Sequence, residues 1–327
     1  MTTIKDVSYD KTLGNSRLEF NVSGSNINYV IMNTLRRTVL TDIPTYAFTD
    51  FKFTKNTSIF HNNFLKNQIR NIPVWGIENN IDIYVKEEKK IEINEDFEDD
   101  DNIRLDESAV ETNTSSLNQL TMYIDYVNNS NMVHTVTTDD AKFYFGQKLV
   151  DNPYKSIQIV KLQPKQEIKL SAITTIGIEK ESSIFSPVSV CVYDEIKPNE
   201  FKFIIESRNN ITEFQILSKA YKNLTKKLND IVEQVDGSLT ENETLEGVLH
   251  INNEEHTMGN LISHGLQNHK DVQFAGYHMN HPLETVVYVT YKLKKGTIKE
   301  ILSEVTEKFK DIFKEINKSI ANNKLNQ

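Results

Sequence analysis

The sequence predicts an α+β chain built from two similar units paired with each other, the first interrupted by an inserted β-rich domain. Three observations carry this reading. Two long helical stripes of apolar residues, Phe214 to Val235 and Ile298 to Ile320, each need a covering surface that a few short strands supply only in part. The order strand, short helix, strand, long helix occurs twice. Between the short and the long helix of its first occurrence lies a stretch of short β-rich runs. Pairing the two units covers both stripes at once, and a short polar join holds them at high effective concentration. Two unrelated α+β domains that each end in an amphipathic helix stay open on pattern alone.

Leu18, Phe20 and Val22 alternate with Arg17, Glu19 and Asn21, the pattern of a half-buried strand running into Gly24. From Asn26 to Leu40, Ile27, Val30, Ile31, Leu35 and Val39 recur at helical spacing; Ser25 or Asn26 can cap the start, and Pro44 bars continuation. The insert, 49–199, opens with strands around Phe51 and Phe53 and passes through Asn71-Ile72-Pro73-Val74-Trp75-Gly76. It resumes with Met122 to Val127, Ile157 to Leu162, Ile168 to Ile173 and Val188 to Tyr193. Phe201, Phe203 and Ile205 then alternate with Lys202, Ile204 and Glu206 before a turn at Arg208-Asn209-Asn210. Thr212 can cap a helix whose Phe214, Leu217, Tyr221, Leu224, Leu228, Ile231 and Val235 fall at steps of three or four, and Asp236-Gly237 ends it. In the last unit Val248, Leu249 and Ile251 read as a strand, and Thr257 as the cap of a helix carrying Met258, Leu261, Ile262 and Leu266. Val286 to Leu293 is β-rich, and Thr297 with Glu300 forms a capping box at the final helix. That helix carries Ile298, Ile301, Val305, Phe309, Ile312, Ile316 and Ile320 at nearly heptad spacing. The expected domains are therefore 1–48 with 200–237 for the first unit, 49–199 for the insert, 238–244 for a linker and 245–327 for the second unit.

Composition narrows the function classes. A chain of 327 residues with 38% hydrophobic and 25% charged residues can build and cover cores in two or three domains. No apolar run reaches the roughly 18 residues that span a bilayer, and Met1 to Asp10 lacks the regions of a signal peptide, so an intracellular protein without membrane contact is expected. The single cysteine, Cys191, supplies neither an internal disulfide nor a four-thiolate zinc site. The net charge of −9 argues at first against direct nucleic-acid binding. Most of it is local, since Glu87 to Asp101 holds nine acids against two bases. Such a run repels itself and buries little, and it predicts a solvated loop over about 87–117. Carboxylates Asp99, Asp100 and Asp101 could hold a hard cation, but composition favours the loop.

Catalytic signatures are sparse. Phosphate-cradling glycine loops, dinucleotide fingerprints, nucleophile elbows and kinase motifs are missing from the sequence. Cys191 sits between Val190 and Val192, the setting of a core thiol. Six of the eight histidines, His250, His256, His264, His269, His278 and His281, crowd into the last unit at gaps of 6, 8, 5, 9 and 3. A metal site is one reading; capping and surface roles fit these gaps better. Arg36 and Arg37 stand out as adjacent guanidinium groups in an apolar helix, and both a solvated ion-paired face and a docking anchor stay open for them.

Asn33-Thr34-Leu35-Arg36-Arg37-Thr38-Val39-Leu40, followed by Ile43-Pro44-Thr45, resembles the first-helix motif of the α-like subunits of cellular RNA polymerases: the bacterial alpha chain and the third-largest subunit of eukaryotic polymerase II. The resemblance continues through Asn56-Thr57-Ser58, Ile69-Arg70-Asn71-Ile72-Pro73, the run Lys161 to Ile168, Gly177-Ile178-Glu179-Lys180 and Phe185-Ser186-Pro187-Val188. In the last unit, Glu255 to Leu261, Phe274-Ala275-Gly276-Tyr277 and His281-Pro282-Leu283-Glu284 resemble the small eleventh subunit and its archaeal counterpart. The two are fused here, as is similar in polymerases of some large DNA viruses.

The resemblance implies two α-like dimerisation modules paired within one chain and acting as a non-catalytic assembly platform of a DNA-directed RNA polymerase. Its implied partners are the second-largest and largest subunits and small polymerase subunits, with DNA engaged only through the holoenzyme and no homodimer. Large-subunit docking falls by position on Asn33, Leu35, Arg36, Arg37, Val39, His256, Thr257, Asn260 and Leu261, each as a contact or as a fold determinant. Pairing falls on Ile27, Ile31, Leu217, Tyr221, Leu224, Leu228, Ile301, Val305, Phe309, Ile312 and Ile316. Gly259 and Gly276 allow close packing or special turns. No cofactor, zinc or other metal is expected, because the cysteine site of eukaryotic relatives is replaced by the acidic loop, and no bacterial-type DNA-binding domain follows the last helix. For a viral chain the virion and the cytoplasmic factory are the expected locations. The alternatives are an unrelated interaction scaffold and a metal protein using the His-rich last module.

Overall fold

A computed structural model describes residues 3–12, 15–75, 81–84, 119–154, 156–208, 211–238, 245–281 and 284–324. The acidic run, the loop expected over 87–117 and the linker beyond Ser238 lie outside them. In chain order the elements are β1 (Thr3–Thr12), β2 (Asn15–Ser23), α1 (Tyr29–Thr41), β3 (Thr45–Asn56), α2 (Asn62–Arg70), β4 (Leu120–Val127), β5 (His134–Thr137), β6 (Ala141–Phe145) and β7 (Lys148–Val150). There follow β8 (Gln158–Leu162), β9 (Glu167–Gly177), β10 (Val188–Lys197), β11 (Glu200–Ser207), α3 (Glu213–Ser238), β12 (Glu246–Asn252), α4 (His256–Gln267), β13 (Val272–His278), β14 (Val286–Leu293) and α5 (Ile298–Lys324). The chain divides into two compact units, one of 1–45, 79–83 and 177–327, the other of 46–78 and 84–176.

The larger unit holds both repeated modules. The first is a four-stranded antiparallel sheet in the order β1-β2-β11-β10. Register brings Leu18 opposite Ile205, Phe20 opposite Phe203 and Val22 opposite Phe201, so alternation on both strands points six buried side chains to one face. The Phe20 and Phe203 rings stack there at 5.4 Å. The second module is a three-stranded antiparallel sheet in the order β12-β14-β13. Helix α3 packs along α5, and α1 along α4, so one continuous core contains apolar residues of both modules. Two buried stripes facing each other remove from water what each small sheet would leave exposed.

Local chemistry sets the helix ends. Helix α1 is capped by Asn28, whose Oδ1 accepts from the Ile31 amide at 3.1 Å, two or three residues later than the expected Ser25 or Asn26. Thr212 and Gln215 form a reciprocal box at the start of α3: Gln215 Oε1 accepts from the Thr212 amide at 3.0 Å, and Thr212 Oγ1 accepts from the Gln215 amide at 3.4 Å. Beside them Glu213, fully buried, accepts from Ser16 Oγ at 2.5 Å and from the Ser207 amide at 3.0 Å, tying β2 and β11 to the positive end of the helix. Helix α3 runs on to Ser238 rather than stopping at Asp236-Gly237, since one terminal glycine costs a helix only about 1 kcal/mol.

The smaller unit is the insert: a five-stranded sheet in the order β3-β9-β4-β6-β7, a two-stranded ribbon β5-β8, and helix α2. Ile168, Leu170 and Ala172 of β9 are buried with Met122 and Ile124 of the central β4 and with Leu65 and Ile69 of α2 in a separate core. Two expectations are corrected here. The run Val188 to Tyr193, assigned to an insert of 49–199, is β10 at the edge of the first module's sheet, with Cys191 opposite Ile205. Residues 79–83 also belong with the larger unit, where Lys219 Nζ donates to the Ile81 carbonyl at 2.6 Å and Asn223 Nδ2 to the Asp82 carbonyl at 2.8 Å. β10 enters this sheet as the outer strand of a hairpin with the adjacent β11, and β11 in turn pairs with the distant β2; alternation marked both runs as strands without showing which sheet the hairpin joins.

Candidate functional site

The seam where α1 meets α4 gathers the polar residues of both motifs. Arg37 Nε donates to Thr257 Oγ1 at 2.6 Å, joining the middle of α1 to the first turn of α4. This corrects the expected cap: α4 begins at His256 after the extended residue Glu255, and the Thr257 hydroxyl serves the guanidinium. Arg36 turns along its own helix, its Nε and one terminal nitrogen donating to Asn33 Oδ1 at 3.2 and 3.0 Å. At the other end of the seam His264 Nε2 lies 3.0 Å from both Asn28 Nδ2 and Asn268 Nδ2. Amide nitrogens only donate, so this ring nitrogen accepts and the imidazole is neutral; burial lowers its pKa in the same direction.

A charged cluster closes the seam at the C-terminal end of α1. Lys227 Nζ of α3 stands 2.8 Å from Asp42 Oδ2 and 3.6 Å from Glu254 Oε2, and Lys180 Nζ 2.6 Å from Glu255 Oε1. Burial acts to lower the Lys227 pKa, but Asp42 and Glu254 more than offset it and the net shift is upward. For Glu254 burial dominates: it pushes the carboxyl up to about 7 against the pull of Lys227. Glu254 has the longer of the two contacts with Lys227, and the nearby Asp42 charge adds to the upward push on it.

The predicted docking residues separate by burial. Leu35, Val39 and Leu261 are 2%, 0% and 0% exposed and belong to the core, the place of fold determinants among the two roles open to them. Asn33, Arg36, Arg37, Thr257 and Asn260 are half-buried, and His256 is exposed with its ring edge on Tyr277. The structure brings the pairing residues Ile27, Ile31, Leu217, Leu224, Leu228, Ile301, Val305, Phe309, Ile312 and Ile316 into one core, with Tyr221 packed partly buried against it. Glycine is required at two points of α4. A Cβ on Gly259 would stand 2.7 Å from the Tyr277 ring and from Val287, and one on Gly265 would collide with Val305 and Phe309 of α5.

Three more of the clustered histidines make aromatic or hydrogen-bonding contacts. His250 and His278 flank Tyr288 at 4.9 and 5.3 Å, and His269 pairs with Glu304 at 3.1 Å. Among the described residues no group of three or more His, Cys, Asp or Glu side chains is placed to hold a metal ion, and no helix is long and apolar enough to cross a membrane. Burial pushes the Cys191 thiol up to about 12, so it stays protonated at neutral pH. Sequence reasoning missed Asn28, Asp42, Lys227 and Glu254, and it named His264 only within the histidine-rich run, without its place at the seam. Each is a single polar residue whose partners lie on other elements, and only a polar side chain near an apolar stripe marked any of them.

Comparison with known proteins agrees with this architecture. Residues 21–228 and residues 246–319 each match a family described as the RNA polymerase Rpb3/Rpb11 dimerisation domain. A protein of Acanthamoeba polyphaga mimivirus designated DNA directed RNA polymerase subunit R470 is 24% identical over 84% of this chain and 82% of its own length. DNA-directed RNA polymerase II subunit rpb3 of Dictyostelium discoideum is 28% identical over 58% of this chain and 56% of its own. DNA-directed RNA polymerase subunit Rpo3 of Methanocaldococcus jannaschii is 22% identical over 62% and 84%. With a dimerisation module on each side of the seam, the chain belongs to the RNA polymerase Rpb3/Rpb11 dimerisation-domain family and carries two such domains in one polypeptide.

Proposed function

We propose that this chain is the non-catalytic assembly platform of a multisubunit DNA-directed RNA polymerase. Its first module docks the second-largest subunit and its second module the largest, with small subunits joining the same assembly inside the cell and DNA engaged through the holoenzyme. The observation that carries this reading is the single core shared by two modules of one polymerase family. A pair of dimerisation domains that satisfies itself internally has its remaining polar surface, including Asn33, Arg36, His256 and Asn260, free for other subunits.

Co-expression with the two largest subunits tests it. The wild-type chain is expected to co-purify with both. Arg36→Ala should weaken retention of the second-largest subunit about tenfold, the value of one charge-assisted contact, while the chain's own melting temperature holds. Arg37→Ala should instead destabilise the chain by about 1.5–3 kcal/mol through loss of the Thr257 bond, read as a lower urea midpoint. No association of the wild-type chain with either subunit sinks the proposal. Because both long stripes are spent internally, light scattering should give a monomer for the free chain at all concentrations; a concentration-independent homodimer contradicts internal pairing.

A further inference from the structure

The two long helices carry one buried stripe in common. Leu217, Leu224, Leu228 and Ile231 of α3 fall at steps of seven, four and three, as do Ile298, Val305, Phe309 and Ile312 of α5. Lys227 thus corresponds to Lys308, Asn223 to Glu304, Lys222 to Ser303 and Lys219 to Glu300. The cap residues Asn28 and Glu255 set the matching correspondence in the short helices, which aligns Asp42 with His269.

Along α3 the chain fills the groove itself. A non-helical segment lies there, its Ile81 carbonyl accepting from Lys219 Nζ at 2.6 Å and its Asp82 carbonyl from Asn223 Nδ2 at 2.8 Å. Lys222 Nζ meets the Asp82 carboxylate at 2.5 Å. The corresponding groove, between the start of α1, the end of α4 and α5, is open among the described residues. It consists of two adjoining hollows of about 410 and 460 Å³ that share Asn26, Glu304, Lys308 and Ile312. Ile31, Val305, Phe309 and Ile312 give it an apolar side.

Its charge is opposite to that of the filled groove. Glu304, Glu307, Asp311 and Glu315 line it against one lysine, Lys308, and the lining residues of α1 and α4 add no carboxylate and no lysine. His269 pairs with Glu304 and Lys310 reaches Glu307 at 2.8 Å. Counting Lys308, Lys310 and a protonated His269 against the four acids still leaves a negative balance. Over residues 298–318 the helix holds five acids and five bases, so the acids are sorted toward the groove and not merely in excess. A negative groove repels nucleic-acid phosphate and anionic lipid. It suits lysine and arginine, whose stems lie on apolar surface while their charged ends meet carboxylates.

We infer that the α5 groove binds a short protein segment carrying apolar side chains and Lys or Arg, seated as Ile81 and Asp82 are on α3 but with the charges reversed. The inference rests on the repeated modules and not on large-subunit docking. A photo-crosslinking amino acid is placed in the full-length chain at Asn26 or at Lys308, on opposite walls of the groove, in the native cellular setting, and adducts are mapped by mass spectrometry. Both positions should join one basic, apolar segment of the same other polypeptide. Asp311→Lys should cut adduct yield about fivefold or more with the melting temperature unchanged, and Asp311→Glu should retain it. Exchange of the mapped Lys or Arg for Glu should restore the yield of the Asp311→Lys chain. Adducts to an acidic segment, to a second copy of this chain, or to unrelated polypeptides at the two positions overturn the inference, as does an Asp311→Lys yield equal to wild type. A chain that co-purifies with both largest subunits yet gives no adduct overturns it too and leaves the proposed function standing.

Discussion

Phe309→Ala is expected to lower the melting temperature of the paired modules by roughly 6–20 °C while the insert melts as before. Phe309 is 5% exposed in the α5 stripe and lies over Gly265 of α4, in the core shared by both modules. Truncating a buried phenylalanine costs about 3–5 kcal/mol, and in a body of this size each kcal/mol moves the midpoint by about 2–4 °C. The insert keeps a core of its own, so calorimetry should resolve two transitions of which one moves. Both moving together would contradict two independent cores. A small shift confined to the second module would contradict the shared one.

The second large effect concerns the Lys227 cluster. Lys227→Met should cost about 2–4 kcal/mol at pH 8, because it strands Asp42 and Glu254 near each other without their cation; the 30% exposure of the lysine side chain keeps the loss below the upper limit for a fully buried pair. The pH dependence has a defined sign. The Glu254 carboxyl is raised from 4.5 to about 7, so the folded chain holds this proton more tightly than the unfolded one. Its contribution favours the fold below about pH 4.5 and is lost as pH rises through 7, the reverse of an ordinary salt-bridged carboxylate. Removing Lys227 raises this carboxyl further, so the cost of Lys227→Met should be smaller at pH 5.5 than at pH 8. Glu254→Gln should flatten the fall in wild-type stability between those values. Urea midpoints of the three proteins at the two pH values decide it; a Glu254→Gln profile parallel to wild type would refute the assignment.

The repeated order of elements, the two long helices and the β character of the insert were legible in the sequence because each rests on local periodicity. Stripes such as Phe214 to Val235 and Ile298 to Ile320 encode a buried helical face within a few turns, and the structure buries those faces. Helix α2 escaped notice because its nine residues carry only two buried side chains, Leu65 and Ile69. Strand β1 escaped because it alternates weakly between Ile4, Val7 and Tyr9, which are only partly buried against the core. The motif Asn33 to Leu40 and its counterpart Glu255 to Leu261 were visible as sequence, but their chemistry was not. The burial that separates Leu35, Val39 and Leu261 from Arg36 and His256 depends on what packs on each helix face.

By itself the sequence determined the family, the number of modules and the residues of the pairing stripes, since these follow from the order and spacing of side chains along the chain. Tertiary structure alone decided that β10 joins the first module's sheet, that Thr257 receives Arg37 instead of capping α4, and that Lys227 serves both Asp42 and Glu254. β10 reaches that sheet through its hairpin with β11, which pairs with the distant β2, and the other two join residues on different elements; the energy of a hydrogen bond or a buried charge is set by the distance and desolvation that only the folded chain creates.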